Sequence, residues 1–361
     1  MPGSQEINSL SDYFGTKVFR NHPSFRKNIV WIATLFLGLH LAPPSPPEKH
    51  KPNFPADDKV KIAEAFRLAD SVQDQIWTNW SKAPFALMLI TDNHELLIRH
   101  PHATNNFDTL GFDPELGSLV LFRSRLFPKN LLATFPAING LSTIVVGQSA
   151  NTSVKSPTAW VVTILHEHFH QYQQSQPDYF AATNALGLSG SDATGMWMLN
   201  FPFPYDSASV DSGFAKAANA LSGAIRSPSK NRANAMTLFL RALEQFRLDI
   251  SYKDFKYFSF QCWQEGVARY TEFRVAELAS KKFAPSTAFI SLKDYKPFRE
   301  VADSIHAKIL NELAHPSLAT SKRVAFYSFG AGEALLLDKV RPGWKKNYFR
   351  VNFHLERYLS R

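Results

Sequence analysis

Residues 163–173 read TILHEHFHQYQ, with His166, His168 and His170 set around a single acid, Glu167. The fold turns on how this run coils. On an α-helix, His166 and His170 share a face and His168 points elsewhere. On a strand, side chains alternate and all three imidazoles fall on one side. The first geometry makes a two-histidine metal site with a neighbouring carboxylate. The second makes a three-histidine site of the kind that suits an oxygenase or isomerase barrel.

The flanking sequence favours the helix. Ser156-Pro157 is a helix start, serine as the cap and proline at the first helical position. Val161, Leu165, Phe169 and Tyr172 then recur at helical spacing and form one apolar stripe. The uninterrupted run to Ser175 is too long for an ordinary strand. Val161, Val162, Thr163 and Ile164 lean toward strand, but propensity is the weaker signal. As a helix the segment is His166-Glu167-x-x-His170, in which two imidazoles one turn apart reach a single zinc ion. Glu167 then stands beside the ion without ligating it, placed to take a proton from a water that the metal holds. His168 falls on another face and is expected to be a satisfied or solvent-facing histidine.

The bulk composition sets bounds. Of the 361 residues, 45% are hydrophobic and 20% charged, which argues for an ordered globular chain rather than a disordered one. The net charge of +9 is dispersed in pairs such as Arg26-Lys27, Lys281-Lys282 and Lys345-Lys346, without an aromatic-interleaved basic stripe, so nucleic acid is not an expected partner. Cys262 is the only cysteine, which excludes an intrachain disulfide and a cysteine-built metal site. Near the amino terminus, Lys17, Arg20, Arg26 and Lys27 precede the apolar run IVWIATLFLGLHLA (29–42). Its length is that of a signal-peptide core and short for a membrane span. Residues 1–42 therefore read as an export signal or an uncleaved membrane anchor. The expected location is periplasmic or extracellular, or membrane-anchored with the domain outside the cytoplasm. Residues 43–56 follow as a proline-rich linker.

After the linker the chain reads as α+β, a small mixed sheet followed by a mostly helical part that carries the metal site. Residues 57–155 form an amino-terminal sub-domain. It has a helix over 57–80, strands at 85–91 and 95–100 joined through Asp92-Asn93-His94, and further strands at 119–124 and 141–147, with turn-rich segments between them. Residues 156–361 form the helical sub-domain, with helices expected over 157–175, 213–226, 232–248, 262–280, 297–314 and 321–340. Residues 176–212 are rich in Gly, Ser, Pro and aromatics, the composition of a long ordered loop or lid.

Two histidines leave a zinc site short of one protein ligand. The strongest candidate lies in CWQEGVARYTEF (262–273). This stretch resembles the W-x-N-E-G-x-A-x-Y-x-E signature of the gluzincin metallopeptidases, the clan of aminopeptidase N and thermolysin, at Trp263, Glu265, Gly266, Ala268, Tyr270 and Glu272. Gln264 stands where the family has asparagine. The resemblance implies a zincin-like fold and makes Glu265 the third ligand. Glu272, on the same helical face, is the alternative. Further on, AFYSFGAGEALLLDKVR (325–341) is similar to the Y-x-x-G-x-x-x-A-x-x-L-D-x-x-R stretch of aminopeptidase N-like and glycyl-aminopeptidase-like families at Tyr327, Gly330, Ala334, Leu337, Asp338 and Arg341. By that likeness Tyr327 donates to the oxyanion of the tetrahedral intermediate. Arg269 either binds a substrate carboxylate or pairs with a glutamate, and Asp338 ties down a helix.

Two departures mark a diverged member. Residues 171–264 separate the second histidine from Glu265, where the family has a short connection, so substrate specificity does not carry over. Residues 141–157 also contain no carboxylate, whereas aminopeptidases of the clan hold the substrate's free amine with one there. Glu115, Asp206 and Asp211 are the candidate substitutes. The expectation is a zinc-dependent hydrolase acting on a peptide or protein substrate, with His166, His170 and Glu265 on the metal, Glu167 as general base and Tyr327 as oxyanion donor. The 141–147 strand is expected to offer its edge to an extended peptide. A catalytically idle zinc- or peptide-binding module of the same fold is the alternative, and residues 29–42 are the candidate membrane attachment.

Overall fold

A computed structural model describes residues 51–359 of the chain, Ala103 excepted. The proposed signal or anchor at 29–42 and most of the linker lie outside the described residues. Among the described residues no helix is long and apolar enough to cross a membrane. Residues Phe54–Arg361 form one unit in which sheet and helices share a single hydrophobic core.

The architecture is α+β. Helix α1 (Ala56–Ile76) precedes six strands, β1 (Leu87–Ile90), β2 (His94–Ile98), β3 (Asp108–Asp113), β4 (Ser118–Ser124), β5 (Leu132–Ile138) and β6 (Leu141–Gly147). They form one mixed sheet in the order β3-β4-β2-β1-β6-β5. The β1–β6 pair is parallel and the other neighbours are antiparallel. The longer helices that follow are α2 (Pro157–Gln174), α3 (Ala208–Arg226), α4 (Ser229–Asp249), α5 (Tyr252–Gln261), α6 (Val267–Lys282), α7 (Phe298–Ala314) and α8 (Ala325–Val340).

Two strands, β3 and β5, occupy segments whose sequence reads as turns. Both are sheet edges. β3 carries Gly111 at a register shift, and β5 carries Pro136 within another. Glycine bulges and prolines are tolerated at edges, where one side of the strand makes no ladder bonds, and they erase the alternating pattern that marks a strand. The consequence for β6 is a correction. It lies between β1 and β5, so the edge on that side of the sheet belongs to β5.

α2 starts where the sequence places it. Ser156 Oγ accepts from the Ala159 amide at 3.3 Å, with Pro157 at the first helical position. The helix is buried on nearly all sides, against the sheet, α1 and α6. On the α1 side, His168 packs flat on Phe85, with ring centroids 3.9 Å apart. Its Nδ1 lies 2.9 Å from Gln171 Oε1 and its Nε2 3.1 Å from Gln73 Oε1. Burial holds this imidazole neutral, with its pKa pushed down to about 4.

The segment between α2 and α3 is ordered and anchored. Phe201 stacks on Tyr257 at 4.4 Å, and the Met198 carbonyl accepts from Tyr257 Oη and Gln261 Nε2 at 2.9 and 2.6 Å. The long separation between His170 and Glu265 is thus filled by this loop and by α3, α4 and α5. α5 then delivers the chain back to α2.

Candidate metal centre

The junction between α5 and α6 is not a plain α-helix. Cys262–Gly266 form a π-helical turn. Such a turn inserts one residue into the helix and re-aims the side chains within it, a device frequent at functional sites. Here it carries Glu265 toward α2. Glu265 Oε2 stands 3.7 Å from His166 Nε2 and 3.5 Å from His170 Nε2, and the two imidazole nitrogens are 3.1 Å apart. Among the described residues, these three form the one group of potential ligands close enough to share an ion. A tetrahedral zinc with bonds near 2.0–2.1 Å sets its ligands about 3.3 Å from one another, so two imidazoles and a carboxylate at these separations fit the ion in spacing and in chemistry.

The turn is held by backbone packing. A Cβ on Gly266 would lie 2.5 Å from Gly330 Cα, and one on Gly330 would lie 2.2 Å from the Cys262 carbonyl oxygen. Only glycine at both positions lets α8 approach this closely. Gly330 is one turn after Tyr327, so the same contact that seats Glu265 also fixes the start of α8 beside it.

Around the triad lies a shell of partners. His170 Nδ1 is 2.7 Å from Gln173 Oε1, and the Gln173 amide in turn donates to the Gln264 carbonyl at 3.1 Å and to Tyr348 Oη at 2.8 Å. One side chain therefore orients the His170 ring and pins the π turn to α2. Gln264, the departure from asparagine, has its amide nitrogen 3.1 Å from the same His170 Nδ1 and accepts from Tyr179 Oη at 3.1 Å. Glu272 reaches the opposite side of His166, its Oε2 3.6 Å from Nδ1, and pairs with Arg269 Nε at 2.9 Å. It stands behind the ligand rather than in the group that could share an ion. Carboxylates and amides behind metal-bound histidines fix the ring and raise its basicity. Sequence reasoning missed Gln173. The signal was present, because it sits one turn beyond His170 on a buried face.

Charge explains the titration behaviour. Burial works against a charged His166. The carboxylates of Glu272, Glu265 and Glu167 outweigh it, and the imidazole's pKa rises to about 10. The same attraction holds Glu265 well below the usual carboxylate range despite its burial. Glu167 moves the other way. Burial lifts its pKa, opposed by the two histidines and by Thr134. Thr134 Oγ1, on edge strand β5, lies 2.8 Å from Glu167 Oε2 and 3.0 Å from the Glu167 carbonyl.

Tyr327 stands in the same neighbourhood. Its hydroxyl accepts from Arg323 Nη1, and Arg269 lies over its ring with Cζ 5.8 Å from the centroid. Burial raises the phenol's pKa, as does Glu265, against Arg323. The phenol thus stays protonated. Of the three candidate amine binders, two are engaged elsewhere and the third lies at a distant turn. Glu115 sits in the β3–β4 turn at the far edge of the sheet, Asp206 pairs with Lys322, and Asp211 Oδ1 accepts from the Leu318 amide at 2.6 Å. Asp338 accepts from Tyr270 Oη at 2.7 Å and Trp344 Nε1 at 3.0 Å, tying α8 to α6 and to the carboxy-terminal segment. Cys262 is buried, and burial pushes its thiol well above the ordinary range.

No protein-family model matches the chain, and neither the curated proteins nor the solved structures include a match.

Proposed function

We propose that this chain is a zinc-dependent hydrolase of the gluzincin kind, acting on peptides, with a zincin-like arrangement of sheet and metal helix. The observation that carries the reading is the convergence of His166 Nε2, His170 Nε2 and Glu265 Oε2, all within 4.8 Å of one another, with a buried, uncoordinated Glu167 next to them in the chain. His166, His170 and Glu265 would hold the ion. When bound, zinc lowers the pKa of a water and polarises a carbonyl. Glu167, with its pKa raised by burial, is suited to take a proton from the attacking water and return it to the leaving amine. Thr134 orients that carboxylate from the edge strand. Tyr327, kept protonated by its burial, accepts a hydrogen bond from Arg323 through its oxygen, which leaves its own O–H free to donate to the oxygen on which negative charge develops. The outer edge of β5, unpaired by any other described strand, runs past Glu167 and suits an extended substrate backbone.

Digestion of a peptide library with and without chelator tests the reading. Cleavage that chelator abolishes and zinc restores is expected, together with zinc near one equivalent that is lost in the His166→Ala/His170→Ala double variant. Zinc-loaded protein that binds peptides and cleaves none of them would instead assign the idle module. Freshly purified protein without metal, and without affinity for it, would remove the proposal.

A further inference from the structure

Arg323 is a half-buried cation without a matching anion among the described residues. It lies in the helical turn Lys322–Val324 that leads into α8. Its Nε is buried with no hydrogen-bond partner, and its Nη1 donates to the Tyr327 hydroxyl. Among the described residues no carboxylate forms an ion pair with it. A guanidinium carries five donors and cannot shed its charge, so an arrangement that leaves it uncompensated is costly unless something else completes it.

The surrounding charges are already matched. Glu272 pairs with Arg269 at 2.9 Å, Asp206 with Lys322, and Asp211 caps the Leu318 turn. Glu265 is the carboxylate whose field reaches both Arg323 and Tyr327. In the proposed hydrolase, Glu265 and Glu167 balance the two charges of the ion, and Arg323 alone is left over. Arg323 Cζ lies 5.5 Å from the Tyr327 ring centroid, so this unmatched charge borders the group that would meet the reacting carbonyl. Among the described residues the site therefore offers a substrate's free amine no unengaged carboxylate, and it offers an anion a waiting arginine.

We infer that Arg323 binds a carboxylate of the substrate close to the scissile bond, which selects peptides by a negative group and not by a free amino terminus. A planar carboxylate is the partner a guanidinium fork fits in geometry and charge. It comes from either the peptide's carboxy terminus or an acidic side chain at the same place. This inference rests on the proposed hydrolase reading, because the peptide must lie at the metal centre.

Binding to the zinc-loaded Glu167→Gln protein separates the possibilities without turnover. The probes are acetyl-Ala-Ala-Phe as the free acid, the same peptide as its amide, and acetyl-Ala-Ala-Glu-amide, followed by titration calorimetry. The free acid or the glutamate peptide is expected to bind at least tenfold more tightly than the uncharged amide, and which of them does so identifies the source of the carboxylate. Adding Arg323→Gln should erase the difference while zinc content stays near one equivalent, and Arg323→Lys should retain part of it. Equal affinity for all three peptides in the protein with Arg323 intact overturns the inference, as does discrimination that survives Arg323→Gln. If Arg323→Gln fails to fold, the three-peptide comparison still decides. Chelator-sensitive cleavage of acid and amide with equal kcat/KM would sink this inference and leave the hydrolase standing. Failure to bind any of the three peptides would sink this inference, and the hydrolase reading would fall with it only if the peptide library also showed no chelator-sensitive cleavage.

Discussion

His166 and His168 are two residues apart on one helix and have opposite fates. In the zinc-free chain His166 faces three carboxylates, which raise its pKa to about 10 despite burial. His168 faces Phe85, Trp80 and two glutamine side chains, and burial pushes its pKa down to about 4. Residue type and burial are the same, so neither explains the difference. What decides it is which groups the tertiary structure brings to each face. A histidine among carboxylates is a cation or a metal ligand, and a histidine between aromatic rings is a polar core residue.

The sharpest way to break this contrast is at the residue between the two histidines. Glu167→Gln is expected to keep zinc near one equivalent and to lower kcat by about a thousandfold, within the range of general-base removal. Retained hydrolysis would eliminate Glu167 as the base. Behind the ligands, Glu272→Gln and Gln173→Leu should each weaken zinc binding by about 10- to 100-fold, measured by competition with a chelator. Comparable losses from substitutions on the His168 face would erase the distinction between the two faces.

The titrations provide a smaller and more specific test on the zinc-free chain. His166 has its folded pKa raised, so its contribution is full below about 6.5 and disappears as the pH climbs toward about 10. His168 has its folded pKa depressed, so its contribution is full above about 6.5 and disappears as the pH falls toward about 4. The second effect amounts to about 3 kcal/mol for a fully buried ring. In urea unfolding, His168→Phe should flatten the acid side of the stability profile and leave the alkaline side unchanged. An acid limb identical to that of the unaltered chain would reject the assignment. The smallest expected effect is at the helix start, where Ser156→Ala should cost about 1 kcal/mol through loss of the cap and leave zinc affinity in place.

Legibility in the sequence followed the same divide. Interior strands with continuous apolar runs, such as LSTIVVG, were readable, as were helices with caps and stripes. The edge strands β3 and β5 were not, because Gly111 and Pro136 are acceptable where a strand has only one neighbour. That gap mattered, since β5 supplies Thr134 to Glu167. The π turn at Cys262–Gly266 was read as ordinary helix. Its extra residue is set by the Gly266–Gly330 contact with α8, which no local pattern reveals.

By itself the sequence determined the helical register of His166, Glu167 and His170, because period and capping are properties of adjacent residues. It also determined the residue types available as ligands. Only the tertiary structure decided that Glu265 rather than Glu272 faces both Nε2 atoms, that Gln173 bridges His170 and the π turn, and that Arg323 has no counter-ion among the described residues. Those facts depend on how far one helix stands from another, and that distance is fixed by packing between segments almost a hundred residues apart or more.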